Sequence, residues 1–248
     1  MKNSVVAIVP AAGLGKRFGE GTNKPFASLG GKPLIIWAVE ALQGLPEVEE
    51  IIPAVKETDI GHCRRLFEDY SITKIRRIAT GGRERQDSVF HGLSLIQDKT
   101  AIVLVHDGVR PLIEPSVIKK VLQQLNGCDG IVVGVPLKDT VKEVTDGIVR
   151  STPERNSLWA IQTPQAFHFQ ALYAAYKKAA ADSYYATDDS ALVERNGGKI
   201  KVIQGSYTNI KVTTPEDLLI AEVFLKMRQE FSYQPSAVSF QQEKAKKE

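Results

Sequence analysis

The sequence predicts an α/β fold: a mostly parallel sheet covered by helices on both faces. Two observations carry this reading. Short runs that are apolar at every position, as at 5–9 and 101–105, alternate with segments of helical spacing. Strands with no polar alternation belong to sheets buried on both sides. The chain has 248 residues, and α/β domains reach about 250 residues as one unit, so a single domain is expected. A third observation marks an exception. The stretch at 138–151, KDTVKEVTDGIVRS, carries hairpin chemistry in place of the strand–helix rhythm.

The elements follow in order. Residues 5–9 read as a buried strand bounded by Pro10 and a glycine loop. At 33–45 Leu34, Ile35, Trp37, Ala38, Ala41 and Leu42 share one broad helical face, and Pro33 suits a first turn. Residues 51–55 form a second strand, 59–70 a helix and 74–79 an extended segment. Residues 85–96 form a helix with Val89, Leu93 and Ile96 inward. The run at 101–105 is a strand ending in His106-Asp107, followed by a helix at 115–125 and a strand at 130–135. Asp146-Gly147 then sits between two β-rich halves, as a type I′ turn requires, because both central positions take positive φ. A lone two-stranded hairpin is marginal in water, so this one must pack on the parent domain or on another subunit. Helical spacing resumes at 170–181 and 188–194, with a late strand at 200–204. A last helix at 215–227 carries Leu218, Leu219, Ala221, Val223 and Leu225. From Phe231 periodicity is lost, and 231–248 reads as a polar, frayed tail.

Composition removes several classes of function. Hydrophobic residues at 43% and charged residues at 25% are those of a globular chain, not of a disordered or collagen-like one. No apolar run nears the roughly 18–20 residues of a membrane span. The first run is short and leads straight into a charged glycine loop, which is not a signal peptide, so a cytoplasmic protein is expected. A net charge of +3 is too small for a nucleic-acid footprint. Cys63 and Cys128 are too few for a disulfide framework or a zinc site, and both are expected in the core. His106 has no partner at metal-ligand spacing, and all four histidines are read as structural or surface residues.

Four loops could carry chemistry. The first, at 10–24, reads PAAGLGKRFGEGTNK. Phe18 breaks the dinucleotide fingerprint, while Arg17 and Pro10 break the P-loop pattern. What remains is a small-residue loop with Lys16, Arg17 and Lys24, suited to phosphate; a plain strand–helix turn with solvated charges accounts for it equally. In the second, TGGRERQDS at 80–88, Gly81 and Gly82 allow close approach to a flat ligand such as a base, and Ser88 offers a hydroxyl. A simple glycine turn before a helix is the alternative. The third, VHDGVRP at 105–111, places Asp107 at the end of an apolar strand. There it can hold a hard cation that bridges phosphates or merely start a turn. In the fourth, NIKVTTPED at 209–217, Thr214, Pro215, Glu216 and Asp217 make a helix start, which leaves Lys211 as a cation with no part in the cap. No catalytic triad, metal cluster or nucleophile elbow stands out. Glycine-bearing loops with scattered cations on one parallel sheet point to a nucleoside triphosphate handled by electrostatics.

Taken together, PAAGLGKRF and NKPF, GGRERQDSV, VHDGVRP, VPLKDTVK, RNSLWAIQTPQAF, TDDSALVE and YTNIKVTTPEDLLIAE resemble the 2-C-methyl-D-erythritol 4-phosphate cytidylyltransferase family of non-mevalonate isoprenoid biosynthesis. The resemblance covers nearly the whole chain. It implies a single-domain nucleotidyltransferase fold at 1–230, related to Rossmann folds, with a protruding β-hairpin arm at 138–156 that clasps a homodimer. It implies CTP and methylerythritol phosphate as substrates, 4-diphosphocytidyl-2-C-methyl-D-erythritol and pyrophosphate as products, and Mg²⁺ as cofactor. By position, Arg17 and Lys24 match the cations at the α-phosphate, and Asp107 matches the acid associated with Mg²⁺. Ala11, Ala12, Gly13, Gly82, Arg85 and Ser88 fall with Asp107 in the CTP-binding segments. Arg155 and Lys211 match catalytic residues that position methylerythritol phosphate, and Thr140, Thr163 and Thr187 its hydroxyl contacts. The chain departs from some relatives at Arg83 and Thr208, where those carry Asp. A ribitol 5-phosphate cytidylyltransferase is the nearest alternative. A non-catalytic nucleotide-binding regulator is the alternative from another class.

Overall fold

The computed structural model describes residues 4–13, 18 and 23–232. In chain order, β1 (Val5–Pro10) is followed by a 3₁₀ turn at Lys24–Phe26. A minimal hairpin of β2 (Ser28–Leu29) and β3 (Lys32–Pro33) leads into α1 (Leu34–Gln43). Next come β4 (Val48–Val55), α2 (Ile60–Asp69), β5 (Ala79–Thr80), α3 (Arg85–Leu95), β6 (Ile102–Val105), α4 (Pro115–Gln124) and β7 (Gly130–Pro136). The hairpin strands β8 (Glu143–Thr145) and β9 (Ile148–Ser151) precede β10 (Trp159–His168), α5 (Phe169–Ala181), α6 (Asp189–Arg195), β11 (Ile200–Gln204) and α7 (Pro215–Ser232).

Among the described residues the main sheet runs β11-β7-β10-β6-β1-β4-β5. Its pairs are parallel except where β10 lies antiparallel between β6 and β7. The expected α/β class is therefore present. Its physical basis is visible in β1, which is buried along its whole length. Val5, Ala7 and Val9 enter one apolar cluster with residues of α1, α2 and α4, while Val6 and Ile8 enter another with residues of α3, α5 and α6. Successive side chains of a strand point to opposite faces, so a strand covered on both sides has no place for a polar residue. Gly92 lets α3 lie close on β1, since a Cβ there would sit 2.8 Å from Ile8 Cγ2. Glycine inside a helix costs about 1 kcal/mol against alanine. Here that cost is offset by close packing, which fixes the start of α3 over the carboxyl end of the sheet.

Three differences from the sequence reading have physical causes. β10 lacks the unbroken apolar run that marked its neighbours, because Gln162, Thr163, Pro164 and Gln165 interrupt it. Its pairing with β7 shifts register between Gln162 and Gln165, so Pro164, which has no N–H, sits where no ladder bond is required. The segment expected to be extended at 74–79 pairs as a strand only at its end, with a single bridge from Ile75 to Ile51. Its start is held by a side chain instead: Gln43 Oε1 accepts Thr73 N–H at 2.6 Å and Lys74 N–H at 3.3 Å. The last helix runs to Ser232, past the expected end at 227, and Arg228 ties its final turns to the Leu112 carbonyl at 2.8 Å. On that helix Ala221 and Leu225 are buried while Leu219 and Val223 face outward.

The hairpin forms at the expected turn, with Asp146 at φ 51° and Gly147 at φ 75°. Every residue of β8 and β9 is exposed. Cys63 is fully buried and Cys128 partly so. Burial pushes the Cys63 thiol up to about 12, which makes it inert.

Candidate active site

A cleft of about 740 Å³ opens at the carboxyl ends of β1, β4 and β6, the edge where open α/β sheets bind ligands. It gathers residues from all four loops singled out in the sequence. Ala11, Ala12 and Gly13 come from the first, along with Lys24. Gly82, Arg85 and Ser88 come from the second, Asp107 from the third and Lys211 from the fourth. Arg17 lies outside the described residues.

The glycine loop is built by close approach. Gly81 N–H donates to the Val55 carbonyl at 2.6 Å, and a Cβ on Gly81 would overlap that of Ala12. Ser88 serves this loop. Its Oγ accepts Gly82 N–H at 3.0 Å and donates to the Glu84 carbonyl at 3.1 Å, which shapes the turn from below.

The electrostatic centre is Asp107, 4% exposed. Arg85 Nε donates to its Oδ1 at 2.8 Å, Lys211 Nζ lies 2.9 Å from Oδ2, and Arg110 Nε stands at 3.7 Å. Burial alone would raise this carboxyl. Arg85, Lys211 and Arg110 outweigh burial and hold it well below the usual carboxylate range, so it stays ionised. Lys211 is delivered by a well-anchored segment: Asn209 Nδ2 donates to the Thr163 carbonyl at 2.9 Å and Val212 N–H to the Val109 carbonyl at 2.9 Å.

Beneath Asp107 lies His106, fully buried. Its Nε2 is 3.2 Å from the Arg110 carbonyl and its Nδ1 3.1 Å from Thr163 Oγ1. A carbonyl only accepts, so Nε2 carries the proton. Burial lowers the imidazole pKa to about 4, so the ring is neutral and Nδ1 accepts the Thr163 hydroxyl. That hydroxyl in turn accepts Asp107 N–H at 3.0 Å. Thr163 thus holds the turn that presents Asp107, a role the sequence could not assign.

Several residues escaped the sequence reading. Lys56, Glu84, Val109 and Thr213 also line the cleft, as does Arg83, where some relatives carry Asp. Asn209 and Gln162 anchor its floor through a 3.2 Å amide pair, and Asp189 lies behind Arg85 at 2.9 Å. Four named residues are not among those lining this chain's cleft. Thr163 is buried beneath it, its hydroxyl taken up by His106 and Asp107 N–H, and the other three lie at the surface. Arg155 is exposed, with Nη1 on the Lys138 carbonyl at 2.9 Å, and Thr140 and Thr187 are exposed as well. Thr208, where some relatives carry Asp, shares a 2.7 Å hydrogen bond with Ser206.

Among the described residues no group of three or more His, Cys, Asp or Glu could hold a metal ion. The cleft does offer the ionised carboxylate of Asp107. That fits Mg²⁺, which takes one or two carboxylates and fills its shell with substrate phosphates and water.

Cations converging on a buried carboxylate, beside a tightly packed glycine loop at the carboxyl edge of a parallel sheet, define an α/β nucleotidyltransferase. Comparison with known proteins narrows the class. The family model of 2-C-methyl-D-erythritol 4-phosphate cytidylyltransferase matches residues 5–227. The protein of that name from Geotalea uraniireducens is 45% identical over 225 residues, 90% of this chain and 97% of that one. Its counterpart from Syntrophus aciditrophicus is 46% identical over 228 residues, 91% and 97% of the two chains. The crystal structure of 4-diphosphocytidyl-2C-methyl-D-erythritol synthase from Anaerococcus prevotii superposes with a TM-score of 0.80 at 33% identity, covering 91% of this chain and all of that one. The chain belongs to the 2-C-methyl-D-erythritol 4-phosphate cytidylyltransferase family. Among the described residues no helix is long and apolar enough to cross a membrane.

Proposed function

We propose that the protein transfers the cytidylyl group of CTP to 2-C-methyl-D-erythritol 4-phosphate and releases pyrophosphate. Within the family it belongs to, the observation that carries this reading is the gathering of Arg85, Lys211 and Arg110 on Asp107 at the cleft floor. Both reactants are anions. The acceptor phosphate oxygen arrives ionised and attacks the α-phosphorus in line as the bond to pyrophosphate breaks. No general base is needed, and the buried neutral His106 is not one. The task is to bring anion to anion and to spread charge in the transition state, so positioning and fixed charge supply the catalysis.

Lys24 and Arg17 take the α-phosphate, and Ala11, Ala12, Gly13, Gly82 and Ser88 shape the nucleotide pocket. Lys211 leans on Asp107 and orients the acceptor phosphate. Mg²⁺ carried in with the triphosphate would find its protein oxygen at Asp107 and would draw charge from the phosphates. The hairpin supports a homodimer, because Val144, Ile148 and Val149 stand 55%, 60% and 54% exposed on it and call for a cover. Arg155, at its base and away from its own cleft, then serves the partner's site together with Thr140. A cytoplasmic location accords with these soluble, charged substrates.

The test is pyrophosphate release with CTP and Mg²⁺ against methylerythritol phosphate and ribitol 5-phosphate. Turnover of the first, abolished by EDTA, is expected. Equal or better turnover of ribitol 5-phosphate overturns the acceptor assignment. Release with neither overturns the enzyme reading in favour of a nucleotide-binding regulator.

A further inference from the structure

Arg85 is shared by two carboxylates. Its Nε donates to Asp107 Oδ1 at 2.8 Å and its Nη2 to Asp189 Oδ2 at 2.9 Å. These two N–H groups form one edge of the guanidinium, the edge that commonly grips both oxygens of a single carboxylate. Here the edge is split between a carboxylate in the cleft and one outside it. Asp189 is 1% exposed and does not line the cleft. Its other oxygen accepts the hydroxyl of Tyr176, itself 1% exposed. The Tyr176 ring is in turn stacked on Phe90, with centroids 5.6 Å apart.

A buried carboxylate is costly unless it is paired, and the capping of α6 does not account for this one. The cap of α6 is made by Asp188, whose Oδ1 accepts Ala191 N–H at 3.0 Å, so Asp189 is not needed to start the helix. What it does hold is Arg85, from behind.

We propose that Asp189, anchored by Tyr176, is a positioning residue for the transfer reaction. By taking one N–H of the Arg85 edge, it prevents Arg85 from closing on both oxygens of Asp107. Asp107 Oδ2 is thereby kept for Lys211, which sits 2.9 Å from it. Without Asp189 the Nη2 group turns to Oδ2, competes with Lys211 there and pulls the lysine from its place over the acceptor phosphate. This inference rests on the cytidylyltransferase reading of the cleft.

The experiment is a double-mutant cycle on the full-length protein. Asp189→Asn keeps the size and an acceptor but removes the charge. It is expected to lower kcat about tenfold while leaving KM for CTP within about twofold. In an Arg85→Ala background the same substitution is expected to change kcat by less than about twofold, because no guanidinium remains to be held. Tyr176→Phe keeps the ring stack and loses the hydroxyl, and is expected to act in the same direction, about threefold, again only when Arg85 is present. If Arg85→Ala does not fold, Arg85→Lys provides the background, since a lysine lacks the fork that bridges two carboxylates. Equal losses with and without the Arg85 guanidinium, or no loss in the parent protein, overturn the proposal. A crystal structure of Asp189→Asn gives a readout independent of turnover: Arg85 is expected with both edge N–H groups on Asp107, and an unmoved Arg85 overturns the proposal. If the parent protein releases no pyrophosphate, the reaction reading fails while the crystal structure still decides what holds Arg85.

Discussion

His106 makes the stability of this protein depend on pH in a way that can be worked out in advance. The ring is fully buried, and burial lowers its pKa from 6.5 to about 4 against a partial counter-pull from Asp107. Between those values the unfolded chain takes up a proton that the folded chain refuses. Stability rises with pH wherever the unfolded state binds more protons. The His106 contribution is therefore present in full above about pH 6.5 and is lost as pH falls toward about 4. At about 1.4 kcal/mol per pH unit, a drop from about pH 7.5 to pH 5 removes about 2 kcal/mol. Asp107 is held well below its usual range, so it does not titrate in this window. His106→Asn retains a short polar acceptor toward Thr163 but leaves the Arg110 carbonyl without its donor. It should cost about 1–3 kcal/mol at neutral pH. Lacking the titrating ring, the variant should lose about 2 kcal/mol less than the parent on acidification, so the gap between them closes. Urea unfolding of both proteins at the two pH values, followed by tryptophan fluorescence without added metal, reads this directly. A gap of equal size at both pH values would refute the reasoning, because His106 would then titrate alike in the folded and unfolded chains.

Lys24→Ala should lower kcat by a factor on the order of 10²–10³ while shifting folding stability by no more than about 0.5 kcal/mol; near-normal turnover would make it a surface charge. Mixed with inactive Arg155→Ala under subunit exchange, it should regain partial activity, since one site of the hybrid carries both defects and the other none. Exchange without recovery would place Arg155 in its own chain's site. Gly81→Ala brings a Cβ onto Ala12 and within 3.2 Å of the Val55 carbonyl. It should cost about 1–3 kcal/mol and raise KM for CTP, and an unchanged unfolding curve together with unchanged KM would show that the loop yields without loss.

Sequence patterns report what a segment buries, and they were informative where burial follows a simple period. β1, β6 and β7 are apolar at nearly every position because helices cover both of their faces. The Asp146-Gly147 turn was legible because few residue pairs tolerate two positive φ angles. β10 was not legible, although it is the antiparallel strand that joins the two halves of the sheet. The Gln162–Gln165 interruption that hides it is the part the site uses. There the ladder skips, and Thr163 turns its hydroxyl to Asp107 N–H and His106, while Gln162 and the Thr163 carbonyl receive Asn209. A strand that carries site-building polar groups loses the very apolar signature by which strands are read.

The same trade-off explains which site residues could be foreseen. Asp107 stands two residues past an apolar strand, and Lys211 is a cation its neighbouring cap does not use, so each is conspicuous within its own few residues. Asp189 is not conspicuous, because an acid in the first turn of α6 has a ready local explanation in the helix dipole, and 104 residues separate it from Arg85. What distinguishes it is spatial. It is a fully buried carboxylate whose neighbour Asp188 already makes the cap, and its two oxygens go to a buried tyrosine and to the arginine that holds Asp107. In a site that works by fixed charge, such counter-charges behind the cations keep one group from collapsing onto its neighbour, as proposed for the Arg85 edge and Asp107. Those counter-charges come from wherever the fold brings an element alongside, so only the folded chain reveals them.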